Sequence, residues 1–432
     1  MSATIDSPSV EYLPKMELES YQLDRLQEVV DYVSRRSAHY EKLFAENGID
    51  TTLQSLEDFR KIPTTQKNDL AENPDSFLCV PRSEILEYVT TSGTIGHPIT
   101  VYLTEKDIDR LAYNEAISMT KAGCTSDDVF QLATTMDKRF MAGLAYAEGV
   151  RKMKAGLIRV GASSPNLQWD SIQRFQPTVL IAIPTFVLTL IDYAKANGID
   201  YKNSSLKKVI AIGQPLRNQD LSLNLIGQRI QDEWGLEVYS TYASTEMGCA
   251  FTECSEGKGG HLHADLLYLE VLDENGNEVA DGEQGEVVIT TLGVEGMPLL
   301  RYKTGDIAIK FESECECGRT TPRLGPIIGR KKQMVKFKGT TVHPSSLIPL
   351  LDVKPEVGMY VIELETDELG LDALNVILPQ EKFDEAGAGK LMAELGDFMK
   401  VKPNAKLLPQ AQLKKLILDP ASRKPIKILD RR

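Results

Sequence analysis

The sequence predicts an α/β protein. A large N-terminal domain carries parallel sheet and a β-rich subdomain, and a small α+β domain follows it. Three observations predict this. Apolar runs alternate with helical stretches between Thr178 and Thr241, the strand–helix–strand order that builds parallel sheet with right-handed crossovers. The turn pairs Asn275-Gly276 and Asp281-Gly282 lie between two apolar strands, which is a hairpin pattern. Beyond Gly329-Arg330-Lys331-Lys332, strand-like and helical runs alternate over a short segment. The boundary is placed there, dividing 1–330 from 331–432.

In chain order, Leu23, Leu26, Val30 and Val33 recur at helical spacing, and Gly48 stops a helix over Tyr40–Asn47. Two β-branched runs, Tyr88–Thr91 and Ile99–Tyr102, flank the polar loop Ser92–Pro98. Thr178–Ile183 reads as a buried strand, Phe186–Ala196 as a helix ended by Asn197-Gly198, Lys208–Ile212 as a second strand, Asn218–Trp234 as a helix and Leu236–Thr241 as a third strand. Ligands of such sheets sit beyond the C-terminal strand ends, which here means Gly213-Gln214-Pro215 and Tyr242–Glu246. Leu267–Leu272 and Gly285–Leu292 are the hairpin strands. In the C-terminal segment Met359–Leu364, Ala373–Leu378 and Lys415–Leu418 read as strands around a helix from Glu381 to Val401.

Composition excludes several functions. Of 432 residues, 42% are hydrophobic and 26% charged, so packed cores are expected. Acidic residues outnumber basic ones 62 to 49, a net charge of −13, the opposite of a nucleic-acid-binding surface. The N-terminus has neither a cationic start nor an apolar core, so no secretory signal is expected. The most apolar stretch, Thr178–Ile191, is interrupted by Pro184 and falls short of the about 20 residues that span a bilayer. A cytoplasmic protein with no membrane or nucleic-acid partner is expected.

Three motifs suggest nucleotide chemistry. Thr91, Ser92, Gly93, Thr94 and Gly96 form a loop of small hydroxyls and glycines, which can bring backbone N–H groups close to polyphosphate. It lacks P-loop spacing, and a plain hairpin turn is the alternative. Tyr242-Ala-Ser-Thr-Glu246 follows a parallel strand; a carboxylate beside a hydroxyl there can hold Mg²⁺ against phosphate, the alternative being a helix N-cap. In Arg301-Tyr-Lys-Thr-Gly-Asp306, an Asp after a Thr-Gly turn can accept hydrogen bonds from ribose hydroxyls, or simply close the turn.

Taken in order, these segments resemble the adenylate-forming superfamily, and within it the phenylacetate–CoA ligase family. The resemblance runs from a lead-in over Tyr40–Val80 through the three motifs, Cys315-Glu-Cys-Gly-Arg-Thr320 and Gly329–Lys332 to Ser422-Arg-Lys-Pro-Ile-Lys-Ile-Leu-Asp430. It implies an ATP-dependent acid–CoA ligase that forms acyl-AMP and then acyl-CoA, with an aryl or arylacetic acid as the expected substrate and a homodimer as a possible assembly. By resemblance Ser92, Gly93 and Thr94 hold the triphosphate, Gly213, Gln214 and Pro215 line the adenine slot, and Tyr242 packs on the base. Thr245 touches phosphate, Glu246 ligates Mg²⁺, Asp306 holds the ribose and Arg330 lies near it. Lys332 is the hinge about which a mobile C-terminal lid turns, Gly339 lines the CoA thiol channel, and Lys424 is the catalytic lysine. An ammonium at Lys424 would stabilise charge gathering on the α-phosphate.

The pattern departs from the family at His97, where lysine is usual, at Arg423 before the catalytic lysine, and across Asp137–Leu144 in the acyl-pocket segment. Two further readings follow: transfer of the acyl group to a carrier protein or other acceptor, and a nucleotide-binding paralogue with weakened catalysis. ATP and CoA are anions, so local positive potential is expected from Arg301, Arg330, Lys332, Lys424 and Mg²⁺.

Six cysteines are too few for a disulfide scaffold. Cys254, His261, Cys315 and Cys317 offer three thiolates and an imidazole, a set suited to structural Zn²⁺ that leaves no position for substrate. Their spacing is not that of a zinc finger. Cys249 and His263 are the substitutes within this set, and independently packed free cysteines are the alternative.

Overall fold

The computed structural model describes residues 8–91, 98–337, 340–366, 372–399, 401–418 and 425–432. The described chain divides into two compact units. One holds residues 8–91, 98–304 and 308–327; the other holds 305–307 and the described residues from 328 onward.

The larger unit opens with helices α1 (Lys15–Arg36) and α2 (Ala38–Asn47). Ser37 caps α2 by accepting from Tyr40 N–H, and Gly48 ends it at φ +60°, a left-handed conformation that glycine adopts without a Cβ clash. Strands β1 (Glu87–Thr90) and β2 (Thr100–Leu103) pair antiparallel. Helix α3 (Glu105–Lys121) follows behind a capping box of Thr104 and Asp107.

Five parallel strands then alternate with helices. They are β3 (Val129–Leu132), β4 (Gly156–Arg159), β5 (Val179–Ala182), β6 (Lys208–Ile212) and β7 (Glu237–Ser244). Between them run α4 (Met141–Lys152), α5 (Pro165–Phe175), α6 (Pro184–Ala196) and α7 (Leu225–Trp234). The parallel order in space is β4-β3-β5-β6-β7. Every side chain of β5 is buried, as expected of a strand covered on both faces.

The sheet continues with antiparallel strands β8 (Cys249–Glu253), β9 (Gly260–His261), β10 (Leu267–Leu272), β11 (Gln284–Thr291), β12 (Tyr302–Phe311) and β13 (Arg323–Leu324). Beyond β7 the order is β8-β9-β13-β12-β11-β10. Core residues such as Phe59, Phe251, Leu267 and Tyr302 fill one face, and Phe130, Val179 and Ile210 fill a second cluster around the parallel strands. Trp169 and Trp234 stack at 5.2 Å between centroids and serve packing.

The smaller unit holds β14 (Val335–Phe337), β15 (Thr340–Val342), β16 (Val361–Thr366), β17 (Asp372–Pro379), β18 (Asn404–Leu408) and β19 (Ile428–Asp430). Its four-stranded sheet has the order β18-β17-β16-β19. Helices α8 (Glu385–Met399) and α9 (Gln410–Ile417) accompany the sheet, and Leu391, Met392 and Leu395 of α8 join Ile362, Leu364 and Val376 in its core.

The α/β class and the parallel run through β5, β6 and β7 agree with the sequence reading. Two details differ. Lys415–Leu418 belongs to α9 and its C-cap rather than to a strand, because a short apolar run suits a strand or one helical face equally. Residues 218–223 form a tight turn, and α7 begins only after Asn224, whose side chain accepts from Ile226 N–H and Gly227 N–H at 3.0 Å. Asn outcompetes helix continuation by capping. Among the described residues no helix is long and apolar enough to cross a membrane.

Candidate functional site

Strand pairing places two of the sequence-predicted segments side by side. Ile212 of β6 is in register with Thr241 of β7, so Gly213 and Tyr242 emerge together at the C-terminal edge of the parallel strands, where such sheets take ligands. Gly213 is exposed and left-handed at φ +73°; Gln214 and Pro215 are half-buried. The loop they form is held at three points. Gln214 Oε1 accepts from Thr185 N–H and Oγ1–H at 3.2 and 3.0 Å. Asn224 Nδ2 donates to Pro215 carbonyl at 2.9 Å, and its backbone N–H donates to Leu216 carbonyl at 2.8 Å. Arg217 then pairs with Glu253, whose side chain is 2% exposed.

Tyr242 is half-buried and stacks on Phe251 at 6.0 Å, a fixed aromatic face. Thr245 and Glu246 do not open a helix. They occupy the turn joining β7 to β8, where Gly248 N–H donates to Ser244 carbonyl at 3.3 Å. Both side chains are half-buried, and Tyr302 Oη–H donates to Glu246 Oε1 at 3.4 Å.

In the smaller unit Asp306 pairs with Arg330 across antiparallel strands, and Arg330 Nε donates to Asp306 Oδ1 at 3.3 Å. Lys332 is exposed, and its carbonyl accepts from Arg432 Nη2 at 2.8 Å. Ser92, Gly93, Thr94, His97, Gly339 and Lys424 lie outside the described residues.

Arg301 is corrected by the structure. It does not supply potential for an anion: it is buried, its Nε and Nη2 donate to Glu270 at 3.0 and 2.9 Å, and its Nη1 donates to Ile62 carbonyl at 2.7 Å. A buried Arg–carboxylate fork of this kind is architectural.

The cysteine cluster assembles from two loops and the short strand β9 in the sheet's antiparallel half. Ligand atoms of Cys254, His261, Cys315 and Cys317 all lie within 4.8 Å of one another. Pairing of β9 with β8 and with β13 brings His261 beside this group. Cys254 Sγ and Cys315 Sγ are 3.7 Å apart, and Cys317 Sγ is 3.5 Å from His261 Nε2. A tetrahedron with Zn–S of about 2.3 Å and Zn–N of about 2.0 Å has S···S and S···N edges of roughly 3.8 and 3.5 Å. The thiols are therefore not a disulfide, which closes to about 2.05 Å, and these donors and spacings fit a tetrahedral divalent cation.

Electrostatics around the cluster suit metal ligation. Burial pushes the Cys254 thiol up to about 12 when no cation is nearby. Cys317 is held below its ordinary value: burial opposes this, but the Arg319 backbone N–H and its guanidinium, 3.4 Å from Sγ, overcome it. Burial, then the charges of Lys121 and Arg319, pushes His261 down to about 2 and keeps its imidazole neutral, the form that binds metals.

Cys249 and His263 are not part of this cluster. Cys249 Sγ–H donates to Asn114 Oδ1 at 2.9 Å. His263 sits in a buried polar network that sequence reasoning did not anticipate. Glu11 Oε1 lies 2.6 Å from Lys121 Nζ and 2.9 Å from His263 Nδ1, while Glu11 Oε2 accepts from Arg319 Nε at 2.7 Å. Burial alone would raise the Glu11 carboxyl, but Lys121 and His263 beside it hold it well below the glutamate range. Arg319 thus bridges Cys317 and Glu11. It was visible in sequence only as part of Cys315-Glu-Cys-Gly-Arg319, with nothing to signal its role.

Residues 30–296 match the model of the AMP-binding enzyme family. The phenylacetate-coenzyme A ligase of Thermus thermophilus is 31% identical over 396 residues, covering 90% of this chain and 87% of that protein. The phenylacetate-coenzyme A ligase of Aromatoleum evansii is 29% identical, covering 99% and 97%. Among solved structures, 2-hydroxyisobutyryl-CoA ligase in the postadenylation state, complexed with R3-HIB-AMP, superposes with a TM-score of 0.82 at 25% identity, covering 98% of this chain and 92% of that one.

Proposed function

The chain belongs to the phenylacetate–CoA ligase family of AMP-binding enzymes and is an AMP-forming acid–CoA ligase, and from that premise we propose that its acid is aryl or arylacetic. The observation that carries the site assignment is the side-by-side emergence of Gly213–Pro215 and Tyr242–Glu246 at the edge of β6 and β7.

In the first half-reaction the substrate carboxylate attacks the α-phosphorus of ATP and pyrophosphate leaves; in the second, the CoA thiol attacks the acyl carbon and AMP leaves. Tyr242, fixed by its stack on Phe251, packs on adenine, while Gly213 presents backbone alone beside Gln214 and Pro215. The Thr245 hydroxyl donates to phosphate. Glu246, steadied by the Tyr302 hydroxyl, holds Mg²⁺, and that ion neutralises phosphate charge when bound. Asp306 accepts from the ribose hydroxyls, with Arg330 beside it. Ser92, Gly93 and Thr94 cradle the phosphates, Gly339 lines the thiol channel and Lys424 stabilises the α-phosphate.

Residues 331–432 act as the lid, turning about Lys332, whose backbone is tied by Arg432. Cys254, His261, Cys315 and Cys317 hold a structural Zn²⁺; with four protein donors the site is closed to substrate.

A panel of acids assayed for thioester formation tests the substrate class. Highest kcat/KM for an arylacetic or benzoic acid supports it; highest kcat/KM for a short aliphatic acid refutes it. Elemental analysis tests the metal, with one zinc per chain expected and none overturning the assignment.

A further inference from the structure

The loop that carries Gly213–Pro215 is tied to the cysteine cluster by one largely shielded ion pair. Arg217 closes that loop, and its Nε and Nη2 donate to Glu253 Oε1 and Oε2 at 2.5 and 3.1 Å. Its Nη1 donates to Leu221 carbonyl at 3.2 Å. All three nitrogens are thereby occupied, and the side chain is 13% exposed. Glu253 Oε2 also accepts from Ser240 N–H at 2.9 Å, two residues before Tyr242 on β7. One carboxylate therefore fixes both the adenine loop and the strand that carries Tyr242.

Glu253 is the neighbour of Cys254 in the chain, and the link does not depend on that peptide bond alone. Cys254 begins a tight turn in which Gly257 N–H donates to Cys254 carbonyl at 3.0 Å. Gly257 is left-handed at φ +60°, and a Cβ there would lie 2.3 Å from Arg217 Nη2. The guanidinium thus rests against the backbone of the turn that presents Cys254. A bidentate Arg–carboxylate fork has one favoured geometry, so displacement of the Cys254 turn moves the fork, and the fork carries the 213–217 loop.

We infer that Arg217 and Glu253 are positioning residues through which the Cys₃His site holds the nucleotide loop in its binding geometry, so that metal occupancy sets ATP affinity. This inference rests on the zinc and nucleotide assignments above. It makes the metal a brace for substrate binding in addition to a local staple of the fold.

The test measures ATP binding by calorimetry on the full chain, with zinc content determined on the same samples. Wild type is compared with and without metal removed by chelation under reducing conditions, beside Arg217→Met, Glu253→Gln and the surface-pair control Arg229→Met. Arg229 pairs with Asp192 and Glu233 away from this loop. Arg217→Met is expected to retain zinc yet bind ATP about tenfold more weakly, the scale of effect seen when outer-shell partners are removed. Chelated wild type should weaken to the same extent. Chelation of Arg217→Met should add nothing further, because the two perturbations break one link. Arg229→Met should bind as wild type does.

If Arg217→Met does not fold, Glu253→Gln, which conserves volume, carries the same comparison. Unchanged ATP affinity on chelation of zinc-loaded wild type overturns the inference while leaving the metal site intact. Additive losses overturn it too, since they mean independent routes. Wild type purified without zinc instead refutes the metal assignment itself, and the inference with it.

Discussion

The two ends of the β7–β8 hairpin differ in a way that separates chemistry from architecture. At the turn, Thr245 and Glu246 are half-buried, and Glu246 takes a long 3.4 Å hydrogen bond from Tyr302. At the other end, Cys254 and His261 are 1% and 0% exposed, and the groups around them are closed into a network running through Arg319, Glu11, Lys121 and His263. A ligand-exchanging site must keep polar groups within reach of solvent, whereas a bracing site gains by excluding it. On the proposed assignments one hairpin serves both, its rigid strands holding the two ends apart.

Substitutions should sort by which end they touch. The largest effect is expected at the open end: Glu246→Gln should slow acid-dependent ATP–pyrophosphate exchange by about 10²–10³-fold while leaving the melting temperature within about 2 °C of wild type. A large loss of stability with intact exchange would reverse the comparison.

At the closed end, Glu11→Gln leaves Lys121 and Arg319 without their buried carboxylate and should cost about 3–5 kcal/mol of unfolding free energy. Because Glu11 is held below its ordinary value of 4.5 in the folded protein, its contribution is fully present above that pH and is lost as pH falls below it. The wild-type-minus-variant difference in denaturant unfolding should therefore be flat from pH 6 to 8 and shrink on acidification below 4.5. A difference that grows on acidification would contradict the assigned sign.

Cys315→Ser should lower zinc content to well below one per chain and depress the melting temperature by about 5 °C or more. Full zinc retention would mean the cation is held elsewhere. The smallest effect is expected at Tyr242→Ala, with KM for ATP raised about 5–10-fold through loss of a stacking face and little change in stability. A rise in KM for the acid alone would move Tyr242 to the acyl side.

Much of the open end was legible in sequence because it lies on contiguous motifs placed after recognisable strands. The run Lys208–Ile212 announces a buried strand, and Gly213-Gln214-Pro215 must follow at its edge. The four candidate metal donors were legible by residue type, although only the pairing of β9 with β8 and β13 explains how they meet. The rest was hidden for one physical reason. Arg217–Glu253 and Glu11–Arg319 join residues 36 and 308 positions apart, and no local periodicity reports which charges folding will bury together. Arg301 shows the converse error, a motif arginine that looked available to phosphate but is committed to Glu270 inside the core. Strand β18, Asn404–Leu408, has no buried residue, so it left no apolar alternation to read.

The central claim, that this chain adenylates a carboxylic acid and passes the acyl group to CoA, is tested most directly by one assay. ATP–pyrophosphate exchange is followed over a panel of aryl, arylacetic and aliphatic acids, then CoA is added with no carrier protein and AMP and thioester are quantified. Exchange should depend on an aryl or arylacetic acid, with equal amounts of AMP and thioester formed on adding CoA. Absence of exchange with every acid, or acyl-adenylate that CoA fails to discharge, would contradict it.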